Sequence, residues 1–572
     1  MKQLRFQNTD SKLNPFYCLS LLLMFAVSNA TIFGQVKQPL TESIITNIRN
    51  ELPVMLPDES GCNAVLAVVD EQYSLWEKAY GCLGGTNSKS VDEYTLFSIQ
   101  SMTKSFTALG VLFAVQDGLV NLDTPIKEYL PDFMVNSLYD EHPESEITLR
   151  HLLSHWAGFT HEAPFGNNYD DRFDFTQHIK SISNTWLKYP VGYRYYYSNL
   201  GIDLAGYILQ ISYGKPYSVL MKENVLDRIG MVSSSFDMDL IESESNRAPG
   251  YAGKNDSPAR IPMIPAGGLY SNLHDMKEYI QFHLNKGVVN GRRILRSDLM
   301  EQMHTIQFPH SRQRFGYCLG LIREPVSDSY GIYHAGGGYG FTSIMLMFPE
   351  KKLGVVLLTN IGDESSIWAL RNTVKQTIVG KCGDTPIEST DDLCLTMLEP
   401  EEPRVQSVIG RYGDENGYVI KYENNVVGIQ IGQNTFYPLT FYDHEGELVG
   451  LYGNFSEVRF LPDYHGKHGS MMLVDRRSSN HYFNIKDFND CPSDPPGPDK
   501  ADWSEFVGDY ELLRNGQPIG DFSVTIRNGY LYAGENRCME YKPGLFFTYE
   551  GEVIDFSGTT PSAMNIRIRK KK

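Results

Sequence analysis

The segment that most constrains this chain is Ser101-Met-Thr-Lys104, a serine and a lysine three residues apart. It follows an extended segment, Tyr94 to Ile99, and opens an apolar run typical of a buried helix, with Phe106, Leu109, Leu112, Phe113 and Val115. Residues three apart share one helical face, so the two side chains are predicted to meet. The pattern predicts a serine nucleophile with a lysine as its adjacent base.

The tetrad alone is a weak signal, because the same spacing recurs at Ser212-Tyr-Gly-Lys215. There Gly214 and Pro216 indicate that a helix is ending, so nothing makes those two side chains face each other. At Ser101 the alternative is a helix N-cap serine beside a lysine whose stem is buried and whose charge reaches solvent. These four residues alone do not decide between the two interpretations.

Position at a helix start has chemical consequences. The first-turn amide of Ser101 has no partner within the helix, and the positive helix end favours a developing negative charge, so this N–H is a candidate oxyanion donor. Apolar neighbours would desolvate Lys104 and lower its pKa. A neutral lysine amine can accept the serine proton.

A second candidate segment is Tyr197-Ser-Asn199, which follows a tyrosine-rich loop and precedes a helical pattern of Leu200, Leu204 and Ile208. A tyrosine held near a lysine can carry phenolate character and pass a proton from the nucleophile to the leaving group. Asn199 is predicted to orient the lysine or to bind a substrate carbonyl. The alternative is that the tyrosine-rich loop only packs as an amphipathic surface.

The third candidate segment is His334-Ala-Gly336-Gly337, ahead of an alternating run from Thr342 to Phe348. We predict that His334 lies on an exposed strand edge lining the site, where the glycines let a substrate carbonyl approach the backbone. The N–H of Gly337 is then the second oxyanion donor. Taken alone, a glycine-rich turn with a histidine is more typical of structure than of chemistry.

Together and in this order, the three segments resemble those of the serine β-lactamase and penicillin-binding superfamily, specifically its class C β-lactamase-like branch. The resemblance covers about residues 40 to 385 and also rests on Gly118-Leu-Val-Asn-Leu-Asp-Thr-Pro-Ile126, Leu149-Arg-His-Leu-Leu-Ser-His155-Trp-Ala-Gly158 and Pro265-Ala-Gly-Gly-Leu269. It implies that Ser101 is the acylated nucleophile, Lys104 the proton acceptor and Tyr197 the general acid and base. It also implies oxyanion-hole donors at Ser101 and Gly337, and substrate-binding positions at Asn199, His334 and Gly336.

His334 departs from the usual pattern of the superfamily, in which a lysine at this position attracts the terminal carboxylate of the substrate. Histidine is mostly neutral at pH 7, so that attraction is weakened. We therefore expect an ester, amide or D-amino-acid peptide as substrate ahead of a β-lactam. Two alternatives stay open: a β-lactamase or penicillin-binding D-Ala-D-Ala carboxypeptidase, and a catalytically inactive binding or scaffold protein with a hydrolase fold.

Other chemistries leave no signature: the sequence has no Gly-x-Ser-x-Gly elbow, no His-Glu-x-x-His and no Gly-Lys-Ser/Thr phosphate loop. His151 and His155 have a spacing that can chelate zinc, but without a third ligand nearby they are interpreted as structural. We expect no metal and no organic cofactor. The formal charge of -18 and pI near 5.3 argue against nucleic acid as a partner. The expected partner is a small-molecule or peptide substrate. The oligomeric state is left open.

The N-terminus has the layout of a signal peptide, because basic residues precede an apolar stretch, Phe16 to Val27, that is too short for a comfortable membrane span. We expect cleavage after Ala30 or just before Gln35, export to a periplasmic or extracellular location, and no membrane span afterwards. An uncleaved anchor is the alternative. Export would permit disulfides, and Cys62–Cys82 and Cys382–Cys394 are candidate pairs, against the alternative of mostly buried free thiols.

A length of 572 residues and a hydrophobic content of 41% predict two or three folded units. The expected fold class is α/β (α+β): a β-lactamase-like two-lobed fold with an antiparallel sheet flanked by helices, plus a C-terminal all-β, lipocalin-like region. The predicted division is a signal peptide at 1–34, a hydrolase domain at 38–385, a linker at 386–403 and β-rich units at 404–490 and 499–572. The last two units form either one barrel or two small domains.

Overall fold

The structure, a computed structural model, describes residues 39–56, 62–83, 89–161, 163, 174–250, 260–261, 263–308, 315–327, 329–379, 396–412, 418–423, 426–431, 435–444, 447–452, 456–461, 470–475, 481–485, 503–514, 516–527, 529–548, 551–558 and 561–571. The predicted signal peptide, the first part of the predicted linker and the candidate pair Cys382–Cys394 lie outside these residues.

A seven-stranded antiparallel sheet forms one layer of the first lobe. The strands of this part of the chain are β1 Ala64–Asp70, β2 Ser74–Tyr80, β3 Cys82–Leu83, β4 Lys89–Ser90, β5 Phe97–Ser98, β6 Tyr270–Ser271, β7 Val288–Val289, β8 Arg292–Arg293, β9 Gly316–Tyr317, β10 Ile322–Val326, β11 Ser329–Gly338, β12 Phe341–Phe348 and β13 Leu353–Thr359. The sheet order is β2-β1-β13-β12-β11-β10-β9, so β1 pairs with the late strand β13 and the sheet joins both ends of the lobe. β1 and β13 are apolar and buried along almost their whole length, and strands of this kind need cover on both faces.

Helices supply that cover. They are α1 at residues 39–55, α2 Thr103–Gln116, α3 Leu149–Ser154, α4 Phe175–Ile182, α5 Asn199–Tyr213, α6 Tyr217–Met221, α7 Asp227–Ile229, α8 Met238–Ser243, α9 Ile264–Gly267, α10 Leu273–Leu284, α11 Ser297–His304 and α12 Ser365–Val379. Helices α1 and α12 cover one face of the sheet. The helices between them form the second lobe against the other face. Among the described residues no helix is long and apolar enough to cross a membrane.

Helix α2 lies at the centre of the second lobe. Every residue from Thr103 to Ala114 is buried, which fits a helix that is apolar around most of its circumference. It packs against α5 and α9, and the turn that precedes it lies against β11 and β12 of the sheet. The N-terminal end of α2 is therefore placed at the junction of the two lobes, where a cleft can form.

The C-terminal region is built almost entirely of strands, as predicted. It contains α13 Pro403–Ser407 and the strands β14 Thr396–Leu398, β15 Gly410–Tyr412, β16 Tyr418–Glu423, β17 Val426–Ile431, β18 Thr435–Pro438, β19 Thr440–His444, β20 Glu447–Tyr452, β21 Ser456–Leu461, β22 Ser470–Asp475, β23 His481–Ile485, β24 Gly508–Arg514, β25 Gln517–Arg527, β26 Tyr530–Ala533, β27 Asn536–Lys542, β28 Leu545–Thr548, β29 Val553–Asp555, β30 Ser562–Ala563 and β31 Ile566–Lys570. Strands β14 to β23 form two open sheets, whereas β24 to β31 close into a barrel in which β24 pairs with both β25 and β31. A single barrel built from both predicted units is therefore wrong, and the exact domain boundaries stay a prediction.

The barrel docks on the helical lobe beside the candidate site. Leu545, Phe547 and Val553 of the barrel form an apolar cluster with Leu138 and Tyr189 of the lobe. A salt bridge between Lys188 and Glu552 lies next to this cluster. The two units are thus held by buried apolar contact and by charge.

Asn565 adds a set of hydrogen bonds between the same two units. Its side chain accepts from the backbone N–H of Trp186 at 2.8 Å, donates to the Trp186 carbonyl at 3.0 Å and donates to Thr160 Oγ1 at 2.8 Å. The carbonyl of Thr160 in turn accepts from the Ser198 hydroxyl at 2.6 Å. The barrel is therefore connected through two residues to the segment that carries Tyr197.

We expect Asn565→Gly to destabilise the protein by about 1–3 kcal/mol, because it removes the hydrogen-bond partners of the part-buried backbone groups of Trp186. Glycine is the suitable replacement because Asn565 has a left-handed φ of 61°, which glycine adopts without strain. Chemical denaturation measures the loss. The matched control is Met564→Gly, since the neighbouring Met564 is also left-handed, with φ of 54°, and is 40% exposed. Equal stability of the two variants would contradict the role given to Asn565.

The described cysteines bear on the disulfide expectation. Cys82 has a free and exposed thiol, so the candidate bridge between Cys62 and Cys82 is not formed. Cys318 and Cys538 are buried free thiols, and burial raises the pKa of Cys538 to about 12. For these two residues the alternative of buried free thiols is confirmed.

Candidate active site

Ser101 is presented by a tight turn. It lies in the 3-10 turn Gln100–Met102, and α2 begins two residues later, at Thr103. The serine is therefore just before the α-helix rather than inside its first turn, which corrects the predicted placement. Gln100 has a left-handed φ of 49°, which is strained for a residue with a side chain, and its amide donates to Ser98 Oγ at 2.7 Å. The half-buried serine hydroxyl thus lies on a turn that is stabilised by a side-chain hydrogen bond.

Lys104 contacts Ser101 as the spacing predicts. Its Nζ donates to Ser101 Oγ at 3.0 Å and to the Ala266 carbonyl at 2.8 Å. The lysine side chain is 0% exposed, so the alternative of a lysine whose charge reaches solvent is wrong. Burial lowers the pKa of Lys104 to about 7, against the opposing effect of the negative charge of Asp203. A substantial fraction of Lys104 is therefore neutral near pH 7 and able to accept a proton.

Tyr197 completes a three-residue contact with these two side chains. Lys104 Nζ lies 4.9 Å from the centre of the tyrosine ring. Burial raises the pKa of Tyr197, and a hydrogen bond with the Ser101 side chain opposes this effect only in part. The resting side chain is therefore a neutral phenol, and the phenolate character allowed by the sequence is disfavoured. A neutral phenol in this place can relay a proton.

His155 fixes the backbone on both sides of Tyr197. Its carbonyl accepts from Tyr196 N at 2.8 Å, and its Nδ1 accepts from Ser198 N at 3.1 Å. The imidazole ring packs against the Tyr197 ring with 4.5 Å between centroids. His155 itself has a left-handed φ of 64° at the C-terminal end of α3. The sequence indicated only a structural histidine or a zinc ligand here; the structure makes it a positioning residue.

The zinc alternative finds no support in the described part of the chain, which has no cluster of three or more metal-ligating side chains. The His151 ring has other partners. Its Nδ1 instead lies 3.0 Å from Thr148 Oγ1 and 3.2 Å from Thr148 N, in a capping box at the start of α3. Burial lowers the pKa of His151 to about 4.

Asn199 is the first residue of α5 and is 3% exposed. The hydroxyl of the preceding Ser198 caps this helix by accepting from Gly201 N at 3.4 Å. The Asn199 amide nitrogen lies 3.2 Å from His161 Nε2, and the His161 ring stacks on Tyr197 at 5.9 Å. Asn199 is thus beside the candidate site, where it contacts His161. Its predicted role in orienting the lysine or binding a carbonyl stays a prediction.

His334 lies deeper than predicted. Strand β11 is enclosed by β10 and β12, and His334 is 3% exposed, so its placement on an exposed strand edge is wrong. Its Nδ1 donates to the Ala335 carbonyl at 2.6 Å, which leaves Nε2 to accept from Tyr317 OH at 2.8 Å. Burial lowers the pKa of His334 to about 3. The residue therefore supplies no positive charge, which agrees with the expected loss of carboxylate attraction.

The glycines that follow bring β11 against the nucleophile turn. A Cβ on Gly336 would lie 2.2 Å from the Ile99 carbonyl oxygen and 2.9 Å from Ser101 N. Ser343 of β12 braces the same turn, because its hydroxyl donates to the Ile99 carbonyl at 2.8 Å. Gly337 follows on the exposed side. The arrangement fits oxyanion donors at Ser101 and Gly337, a role that stays a prediction.

Comparison with known proteins identifies the class. The beta-lactamase family matches residues 61–376, and the chain belongs to that family. The superfamily and fold class expected from the motifs are thereby confirmed. The match supports a serine hydrolase of the β-lactamase and penicillin-binding type.

Several relatives are similar over this region. The D-alanyl-D-alanine-carboxypeptidase/endopeptidase AmpH of Escherichia coli K12 is 24% identical over 61% of this chain and 93% of its own length. Protein flp of Staphylococcus aureus is 25% identical over 53% of this chain, which spans 60% of that relative. Beta-lactamase-like protein 4 of Dictyostelium discoideum is 28% identical over 46% of this chain and 50% of its own length.

Two solved structures are also similar. The octameric penicillin-binding protein homologue from Pyrococcus abyssi has a TM-score of 0.49 at 20% identity, covering 78% of this chain and 98% of that one. The class C beta lactamase from Rhodobacter sphaeroides has a TM-score of 0.47 at 18% identity, covering 59% of this chain and 98% of that one.

Proposed function

We propose that this protein is an exported serine hydrolase that works through a covalent acyl-enzyme at Ser101. The observation that carries the proposal is the fully buried Lys104 hydrogen-bonded to Ser101 Oγ at 3.0 Å, with its pKa lowered to about 7. A buried lysine is costly, and a contact with a half-exposed hydroxyl is what a catalytic base requires. The combination of Ser101, Lys104 and Tyr197 argues against an inactive scaffold.

The proposed reaction has two stages. In the first, neutral Lys104 takes the proton of Ser101 Oγ as the oxygen attacks the substrate carbonyl carbon. The oxyanion accepts hydrogen bonds from the N–H groups of Ser101 and Gly337, and Tyr197 passes a proton to the leaving group when the tetrahedral intermediate collapses. In the second, water attacks the ester and gives its proton back through the same groups, which releases the acid and restores Ser101.

For the substrate we propose an ester, amide or D-amino-acid peptide. The buried and neutral His334 provides no cation for the terminal carboxylate of a β-lactam, which supports this order. The second candidate is a penicillin-binding D-Ala-D-Ala carboxypeptidase or β-lactamase, favoured by the similarity to AmpH over 93% of that relative's length.

A substrate panel tests the proposal. Purified full-length protein is assayed with p-nitrophenyl esters, D-Ala-D-Ala peptides and a chromogenic cephalosporin, with Ser101→Ala as the blank. Hydrolysis of an ester or D-amino-acid peptide that is absent from the blank supports the proposal. Efficient cephalosporin turnover with negligible ester cleavage would reverse the substrate order, and turnover unchanged in Ser101→Ala would refute the assignment.

The acylation rate is expected to depend on pH through Lys104. Below a pH of about 7 the lysine is protonated and cannot accept the serine proton, so the rate rises with pH through that value and levels off above it. Stopped-flow measurement of acylation by a chromogenic ester gives this profile. A rate that is flat from about pH 5 to 9, or that falls as Lys104 loses its proton, would contradict the assignment of Lys104 as base.

A further inference from the structure

Two buried ionisable side chains lie behind the candidate site and take no part in the proposed reaction. Asp203 lies on α5, one turn after Asn199, and His178 lies on α4. Both are 0% exposed, and His178 Nε2 is 2.9 Å from Asp203 Oδ2. A carboxylate in an apolar core is unfavourable unless all its oxygens have partners, so the partner of the second oxygen is informative.

The second oxygen of Asp203 is connected to Lys104 through the backbone of one residue, Ala266. Asp203 Oδ1 accepts from Ala266 N at 3.0 Å. The carbonyl of the same residue, Ala266, accepts from Lys104 Nζ at 2.8 Å. Lys104 then contacts Ser101 Oγ at 3.0 Å. One connected series of contacts thus runs from His178 through Asp203, Ala266 and Lys104 to Ser101. Asp203 holds the N–H of Ala266, and the carbonyl of the same residue receives Lys104.

We propose that Asp203, oriented by His178, is a positioning residue that fixes the Ala266 carbonyl for Lys104 and sets, by its negative charge, how tightly Lys104 holds its proton. The inference rests on the proposed function, because it matters only if Lys104 is the base. Asp203 and His178 lie outside the motifs that identified the site, and a buried acid on α5 has no signature in the sequence.

Of the titratable groups named below that face Lys104, Asp203 is the one that can carry a negative charge. Among the residues that the structure describes, the titratable groups that face the lysine are Tyr197, His155, His334 and Asp203. Burial keeps Tyr197 a neutral phenol, and burial together with the charge of Lys104 lowers the pKa of His155 and of His334, so both are neutral. For Asp203, burial raises the pKa, while His178, Lys104 and the Ala266 N–H oppose this effect by stabilising the anion.

The test is the isosteric change Asp203→Asn, which keeps an oxygen to accept from Ala266 N and removes the charge. Without the negative charge Lys104 gives up its proton more readily. The rising part of the plot of acylation rate against pH, called the acid limb here, is therefore expected to move about one pH unit lower. The acylation rate at a pH below the acid limb is then compared with the plateau rate of the same protein. This ratio is expected to be about tenfold higher for the variant than for the wild type. A variant with the wild-type limb, or a limb moved to higher pH, would overturn the proposal.

A matched control comes from Asp275→Asn. Asp275 is also 0% exposed and accepts from Ser233 N at 2.9 Å and Ser234 N at 2.7 Å, but it lies on α10 and is absent from the series that runs from His178 to Ser101. It should lower stability without moving the limb. A limb moved equally by both variants would mean that a general loss of stability is responsible, which also overturns the proposal.

A second variant covers the case in which Asp203→Asn does not fold. His178→Ala removes a donor from Asp203, which makes the anion less favourable, so the limb is expected to move in the same direction by a smaller amount. An unmoved limb in this variant counts against the proposal. Labelling of the wild type at Ser101 is measured first: its failure would refute the proposed function, whereas normal labelling with unmoved limbs would refute only the role of Asp203.

Discussion

Replacing Lys104 by methionine is expected to lower the acylation rate at Ser101 by about three orders of magnitude or more, because the serine loses its base and members of one catalytic unit are each essential. Methionine fits the space of the aliphatic stem and removes a buried charge, so the fold should be as stable as the wild type or more stable. Single-turnover acylation by an activated ester, with thermal unfolding in parallel, separates chemistry from stability.

The chain provides its own control for this change in the second tetrad. Ser212 lies near the end of α5, and Lys215 is exposed and paired with Glu223. Lys215 is therefore engaged with a carboxylate and does not serve as a base for Ser212. Lys215→Met and Ser212→Ala should leave acylation unchanged. If Lys215→Met were as damaging as Lys104→Met, or if Lys104→Met acylated at the wild-type rate, the assignment of the base would be wrong.

Gly336→Ala is expected to lower kcat/KM by about a hundredfold or more. The added methyl group would lie 2.2 Å from the Ile99 carbonyl oxygen and 2.9 Å from Ser101 N, so β11 and the nucleophile turn must move apart. Both contacts are backbone atoms, which cannot rotate away, and a displacement of about 1 Å in an active site typically has an effect of this size. Steady-state kinetics on the best substrate of the panel measures it.

The adjacent glycine gives the matched comparison. A methyl group on Gly337 would approach Glu364 Oε1 at 2.8 Å, which is the end of a flexible side chain that can turn aside. Gly337→Ala keeps the backbone N–H and should retain most of the activity. Equal losses in the two variants, or a near-normal Gly336→Ala, would show that the close approach of β11 to Ser101 is not required.

The sequence was most informative where a short motif coincides with a regular element. Ser101 and Lys104 are three residues apart at the start of an apolar run, so helical geometry alone predicts their contact, and the structure has it at 3.0 Å. The helix that begins at Asn199 follows in the same way from the periodicity of Leu200, Leu204 and Ile208. These predictions need only local information.

Contacts between residues that are far apart in the sequence could not be predicted. The burial of His334 results from its place between β10 and β12 and from Tyr317, which is seventeen residues earlier in the chain. The hydrogen bond between His155 and the backbone of Ser198, next to Tyr197, joins residues separated by more than 40 positions. The contact of Asn565 with Thr160 spans 405 residues. No periodicity encodes such pairings, because they are decided by how whole elements pack.

The docked barrel also changes an expectation about shortening the chain. The sequence alone predicts that a protein ending near Pro400 would fold and still be acylated by a small probe. In the structure the barrel covers Leu138 and Tyr189 and hydrogen-bonds to Thr160. A shortened chain would expose this apolar patch and lose the hydrogen bond that supports the Tyr197 segment. Asn565→Gly in the full-length protein removes the hydrogen bond while the apolar contact stays covered, so it is the more informative change.

Covalent acylation of Ser101 can be tested by mapping the adduct that an acylating or phosphonylating probe leaves on the protein. Full-length protein is treated with a fluorophosphonate or a penicillin, and its intact mass is measured before and after, followed by digestion and peptide sequencing by mass spectrometry. We expect a single adduct on Ser101 that is absent from Ser101→Ala and retained in Ser212→Ala. An adduct that persists in Ser101→Ala, or a wild-type protein that resists every such probe, would contradict it.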